Sequence, residues 1–155
     1  MVFANLLEKG GIYRGLKGST IKEVMENMIK TLPVKLHSVP ADVLIKAVLE
    51  REALMSTGIG NGIALPHPRN PLIQNEENQF VAIGYLENKV NWNALDGQFT
   101  EIIILVLTSA AKTHLRVLSE ISYFNRQAEF VKLLKEHSSM KELQNYIRET
   151  EKTWN

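Results

Sequence analysis

The stretch that most constrains the fold is Ile102-Ile-Ile-Leu-Val-Leu107. A strand with one face in water alternates apolar and polar side chains. This run leaves no polar face, so it reads as a strand covered on both sides. Two flanking layers are then needed, and the rest of the chain supplies helices for them. Residues 19–32 place Ile21, Val24, Met25, Met28, Ile29 and Leu32 at helical spacing. Thr20 with Glu23 forms a capping-box signature at the start, and Pro33 ends the helix. A second helix opens at Pro40, carries Val43, Leu44, Ala47 and Val48 on one face, and runs to about Met55.

The glycine-rich stretch 58–62 breaks helix, and Ile63 to Leu65 reads as a short strand. A polar loop, Gln74 to Gln79, precedes a strand over Phe80 to Leu86, and Leu95-Asp-Gly97 signals a turn. Beyond Leu107 the pattern turns helical. Val117, Leu118, Ile121 and Phe124 form one stripe, and residues 128–136 form a further short helix. A last helix begins at Ser139 with Glu142 as capping partner, and uses Met140, Leu143, Ile147 and Trp154. Helices at both ends of the chain around a few central strands give a three-layer α/β domain. No repeat, low-complexity tract or Pro/Ser-rich linker divides residues 1–155, so a single domain is expected.

Composition removes several classes of function. The chain has no cysteine, which excludes disulfides, thiolate metal sites and cysteine nucleophiles. Its 18 basic and 17 acidic side chains leave no net field to hold nucleic acid or anionic lipid. The apolar run 102–107 falls far short of the ~20 residues that span a bilayer. The start, Met1 to Lys9, lacks the basic flank and long apolar stretch of a signal peptide. A cytoplasmic protein with no direct membrane insertion is expected.

Gly58-x-Gly60-x-Gly62 resembles a nucleotide loop in spacing but not in context. A dinucleotide fingerprint follows a strand and opens a helix, whereas this one follows a helix and opens a strand. The glycines read instead as positions needing positive φ. The four histidines, His37, His67, His114 and His137, show no metal-ligand spacing. A Ser-His-Asp hydrolase is poorly supported, because there is no Gly-x-Ser-x-Gly elbow and the only aspartates are Asp42 and Asp96. His37 and His137 read as structural, the latter at a helix C-terminus that favours imidazolium.

His67 differs. It ends a strand and lies between Pro66 and Pro68, each of which fixes φ and removes a backbone donor. A side chain held this way loses little freedom on binding. Taken alone it fits either a structural or a nucleophilic role. Two further residues bear on the choice. Arg51 continues the stripe of Leu44, Ala47 and Val48, and a guanidinium facing the covered side needs an anionic partner. His114 opens the helix of Val117 and Ile121, where the helix N-terminus favours ligand anions and opposes a protonated ring. Together they describe a site for a mobile phosphoryl group: a neutral imidazole nucleophile, a second imidazole, an arginine and backbone N–H groups, with no metal ligands and no cofactor expected.

These residues carry a resemblance. Ser56 to His67, STGIGNGIALPH, is similar to the signature of enzyme IIA of the fructose/mannitol (type 2) class in the bacterial phosphoenolpyruvate-dependent phosphotransferase system, a class that includes the nitrogen-regulatory IIA proteins. Glu50-Arg-Glu52 ahead of it, NWNALDG (Asn91 to Gly97) after it, and THLRVLSEIS (Thr113 to Ser122) resemble further segments, so the likeness covers most of residues 20–150. The resemblance implies a central mixed β-sheet flanked by helices on both faces. It implies that His67 accepts a phosphoryl group, through Nε2, from the histidine-containing phosphocarrier protein charged by enzyme I. The group then passes to a IIB domain or acts as a signal to a regulated target protein. Arg51 and His114 are the implied phosphoryl-stabilising partners, with Thr57, Asn61 and Arg69 as candidate supporting residues. Pro68 and Arg69 depart from the small residue many relatives carry after the histidine. Three readings follow: a sugar-transport phosphocarrier, a nitrogen-regulatory switch, and a domain that binds partners without phosphorylation.

Overall fold

The strand containing Ile102–Leu107 is covered on both sides, and its two faces serve two separate cores. Ile102, Ile104 and Val106 enter one apolar cluster, while Ile103, Leu105 and Leu107 enter the other. The computed structural model describes residues 1–153; Trp154, placed above on the last helix, lies outside the described residues. In chain order the elements are α1 (Phe3–Gly10), β1 (Ile12–Leu16), α2 (Ile21–Thr31), α3 (Ala41–Leu54), β2 (Gly58–Gly60), β3 (Ile63–Ala64), β4 (Phe80–Val90), β5 (Thr100–Leu107), α4 (Ala111–Asn125), α5 (Ala128–Lys135) and α6 (Met140–Thr153). The sheet order is β1-β4-β5-β3-β2. β1 is parallel to β4, β4 antiparallel to β5, β5 parallel to β3, and β3 antiparallel to β2. The sheet is therefore mixed. One face carries α2 and α3, the other α1, α4, α5 and α6, so the protein is a three-layer α/β sandwich.

Period-two alternation in β4 makes the same division: Val81, Ile83 and Tyr85 join the core of β5's even-numbered residues, Phe80 and Ala82 the opposite one. Each fully buried Ile, Leu or Val here contributes roughly 1.5–3 kcal/mol of transfer free energy. Helix starts follow the expected caps. Thr20 Oγ1 accepts from the Glu23 N–H at 3.1 Å, and the Glu23 carboxylate also accepts from the N–H and hydroxyl of Ser19. Ser139 and Glu142 make both bonds of the box. Pro40 stands one residue before α3 rather than inside it.

Four readings change. The 58–62 stretch contains a short strand, β2, hairpinned against β3. β4 continues past Leu86 to Val90 because its far end pairs with Thr100. α1 and β1 were not expected. α1 has no side-chain cap of its own; Glu120 Oε1 of α4 accepts from the N–H groups of Val2 and Phe3 at 2.9 and 3.0 Å. Gly10 at the end of α1 is required by close approach, since a Cβ there would lie 1.9 Å from the Val81 carbonyl oxygen. Among the described residues no helix is long and apolar enough to cross a membrane.

Candidate active site

Three local structures converge beside the carboxyl ends of the parallel pair β3 and β5. Beyond Ala64 the β3 chain stays bonded to both neighbours: the Leu65 N–H donates to the Thr57 carbonyl at 3.0 Å, and the Val106 N–H to the Pro66 carbonyl at 3.1 Å. His67 follows immediately and is buried. α4 starts four residues after β5 and carries His114 in its first turns. The rings of His67 and His114 lie 4.7 Å apart between centroids, tilted by 54°. Loops at strand carboxyl ends are the usual place for a ligand site in open α/β sheets.

His67 Nδ1 lies 2.6 Å from the Leu65 carbonyl oxygen. A carbonyl only accepts, so this nitrogen carries the proton and Nε2 holds the free lone pair. Burial lowers the pKa of His67, the Leu65 hydrogen bond opposes that shift, and the Arg51 charge adds to it. His114 is pushed down to about 4, by burial first, then by His67 and Arg51. Both rings are therefore neutral at pH 7, and the helix N-terminus under His114 favours the same state.

Arg51 occupies the last turn of α3, close enough that its charge depresses both histidines. Its Nη1 donates to the Met55 carbonyl at 2.7 Å, and among the described residues no carboxylate pairs with it. That contact uses one of five guanidinium donors and neutralises no charge. A carboxylate does stand next to it in sequence. Glu52 is only 9% exposed, and its two oxygens accept from the Thr57 N–H at 2.7 Å and the Thr57 hydroxyl at 2.6 Å. Sequence reasoning gave Glu52 no role, although it stands four residues after Val48 and eight after Leu44, a polar residue on the buried stripe of α3.

The supporting candidates separate. Thr57 is part of the framework, since its hydroxyl is committed to Glu52 and its carbonyl to Leu65. Asn61 is not brought to the histidines: it bonds Asn125, the last residue of α4, about 16 Å along the helix from His114 at 1.5 Å per residue. Arg69 is exposed, and with Pro68, Thr108, His114 and Leu115 it lines a cavity of about 210 Å³. His37 is structural, its Nε2 2.8 Å from the Leu32 carbonyl. His137 stacks on Tyr85 with centroids 3.9 Å apart.

Residues 5–150 match the family model described as "Phosphoenolpyruvate-dependent sugar phosphotransferase system, EIIA 2". The chain belongs to this family. This EIIA type 2 protein is 35% identical over 131 residues to the nitrogen regulatory protein of Escherichia coli K12, spanning 81% of the chain and 77% of the relative. It is 29% identical over 154 residues to the fructose-specific EIIABC component of Bacillus subtilis, spanning 98% of the chain and 24% of that longer protein. Its fold superposes on the nitrogen regulatory protein IIA-Ntr of Neisseria meningitidis with a TM-score of 0.78 at 26% identity, over 95% and 99% of the two chains. Proteins of the EIIA family are phosphotransferase components.

Proposed function

We propose that this EIIA protein is a histidine phosphocarrier in which His67 Nε2 accepts a phosphoryl group from the histidine-containing phosphocarrier protein. The observation that carries the reading is the 2.6 Å bond from His67 Nδ1 to the Leu65 carbonyl, which leaves Nε2 unprotonated and fixes its direction. In an in-line transfer the donor's N–P bond breaks as the Nε2–P bond forms. Each imidazole keeps the proton on its other nitrogen, so no proton has to move. The remaining work is positioning and charge neutralisation on the equatorial oxygens. Arg51 supplies the positive charge and neutral His114 an N–H donor. A neutral His114 adds no repulsion that would hold off a cationic transition-state ring.

Large apolar side chains surround the site. Leu54 and Met55 are 63% and 70% exposed beside Arg51, and Leu115 is 67% exposed beside His114. Such a rim suits the transient docking of a phosphoryl donor and an acceptor. Incubation with phosphoenolpyruvate, enzyme I and the carrier protein tests the reading. One phosphoryl group is expected on the wild-type chain and none on His67→Ala; labelling of His67→Ala at full stoichiometry refutes it.

For the acceptor, the likeness to nitrogen regulatory proteins favours a regulatory role in the cytoplasm, in which the phosphorylation state of His67 selects a target protein. The alternative is delivery of the group to a IIB domain for sugar uptake, in line with the likeness to the EIIABC component. Phosphoryl transfer to purified IIB domains separates the two: transfer at the rate of loading supports transport, and retention on His67 supports regulation.

A further inference from the structure

Arg51 and His67 stand on different elements, and a short series of hydrogen bonds joins them. Glu52 follows Arg51 on α3 and holds Thr57 through both carboxylate oxygens, at 2.7 Å to the N–H and 2.6 Å to the hydroxyl. The Thr57 carbonyl accepts from the Leu65 N–H at 3.0 Å, and the Leu65 carbonyl accepts from His67 Nδ1 at 2.6 Å. The 52-to-57 clamp also closes a loop around Met55, whose carbonyl receives Arg51 Nη1 at 2.7 Å. The direction of that carbonyl, and with it the direction of the guanidinium, follows from the clamp. A second tether holds the same loop, because the Ser56 hydroxyl donates to the Trp92 carbonyl at 2.6 Å and Trp92 is fully buried.

A buried carboxylate is costly unless its oxygens are hydrogen-bonded. Placing one next to a phosphoryl site is doubly so, because its charge would repel the incoming group. Here both oxygens are committed to Thr57, which draws the negative charge into the clamp and leaves the neighbouring Arg51 charge for the site. An apolar residue at position 52 would cover the same stripe without that cost. The pairing therefore calls for a role beyond packing.

We propose that the Glu52–Thr57 clamp is a positioning device for phosphoryl transfer, holding the Arg51 guanidinium at a fixed reach from His67 Nε2. The inference rests on the reading of His67 as phosphoryl acceptor. Thr57 and Glu52 touch no reacting atom in this scheme; they act through Arg51. A misplacement of about 1 Å in a positioned catalytic group is enough to cost on the order of tenfold to a hundredfold in rate.

The test is a double-mutant cycle with an independent spectroscopic arm. Thr57→Val keeps the shape and loses the hydroxyl donor, while Thr57→Ser keeps the donor. In the Arg51 protein, Thr57→Val is expected to slow loading of His67 by about tenfold and Thr57→Ser to restore the rate. In an Arg51→Ala background, Thr57→Val is expected to change the rate by less than about twofold, because there is no guanidinium left to misplace. Imidazole NMR titrations of the unphosphorylated proteins form the second arm. Arg51 depresses both His67 and His114, so Thr57→Val is expected to raise both midpoints toward those of Arg51→Ala. An equal rate loss in both backgrounds, or midpoints unmoved in Thr57→Val, overturns the proposal. If the wild-type chain takes up no phosphoryl group, the phosphocarrier reading fails, and the titrations still decide the clamp. Should Thr57→Val not fold by its melting transition, Glu52→Gln enters the same cycle.

Discussion

Phosphorylation of His67 should oppose the shift that keeps His114 neutral. In the unmodified protein His114 titrates at about 4, pushed down by burial and by the His67 and Arg51 charges. A phosphoryl group of about −2 on Nε2, set against the +1 of a ring that keeps its Nδ1 proton, brings a net charge of about −1 close to a ring whose centroid is 4.7 Å from that of His67. At an effective dielectric of about 20, two unit charges roughly 5 Å apart interact by about 3 kcal/mol, equivalent to about 2 pH units. Solvent screening at this half-buried position cuts that to about 1–2 units for the group as a whole. His114 should then titrate at about 5 to 6. At pH 6 its protonated fraction rises from about 1% to between a tenth and a half. Nitrogen-15 imidazole spectra recorded before and after loading with phosphoenolpyruvate, enzyme I and the carrier protein read this directly. The His114 signals should move toward the doubly protonated form, and return when the phosphoryl group is removed. A His114 midpoint that stays within about 0.3 units of its starting value would refute both the placement of the group and the role given to this residue.

Other consequences follow from the same contacts. Because His114 is held below its unfolded value near 6.5, its contribution to stability is complete above about pH 6.5 and is lost as pH falls toward 4. Allowing for its partial exposure, that loss is about 1–2 kcal/mol, and His114→Gln should flatten this part of a urea-midpoint-against-pH curve. Glu120→Ala removes the acceptor for two N–H groups at the start of α1 and should lower stability by about 1–3 kcal/mol, with faster amide exchange confined to α1. Gly10→Ala places a methyl group against the β4 backbone and should cost at least about 2 kcal/mol by denaturant titration, with a wild-type midpoint counting against the close approach.

The central layers were legible because their signals are local. An uninterrupted apolar hexapeptide has one physical meaning once its length is too short for a bilayer, and the capping pairs at Thr20 and Ser139 lie within one helical turn. α1 left no such trace. Its cap is the Glu120 carboxylate, 117 residues away from Phe3 in sequence, and no local pattern announces that contact. β1 was hidden by Gly15, whose φ of +66° interrupts an already short strand, and by a register shift against β4. At the site, the signature directed attention to His67, Arg51 and His114, but not to the Met55 carbonyl that receives Arg51. A helix end offers unpaired carbonyls, and the guanidinium takes one of these. Asn61 belongs to the signature in sequence and to the far end of α4 in space. A conformational need explains it, since its φ is +59° at the β2–β3 turn.

The two prolines around His67 acquire distinct meanings once the hydrogen bonds are counted. Pro66 sits in a register where the sheet asks only for its carbonyl, which accepts from Val106, so the missing donor costs no ladder bond. Leu65 is already committed on both sides, its N–H to Thr57 and its carbonyl to His67. The backbone groups of Leu65 and Pro66 ahead of the histidine are thus each bonded or absent, and Nε2 is the ring atom that remains free. Pro68 extends the same economy past the histidine: a residue with an N–H there would present a buried donor. On the phosphocarrier reading, Pro68 withholds one backbone donor from an incoming phosphoryl group and leaves more of the charge neutralisation to Arg51. The clamp that holds Arg51 and the proline that removes the N–H are two parts of one arrangement. Pro68→Ala should accordingly soften the loss caused by Thr57→Val in the loading assay, and an undiminished loss would separate the two features.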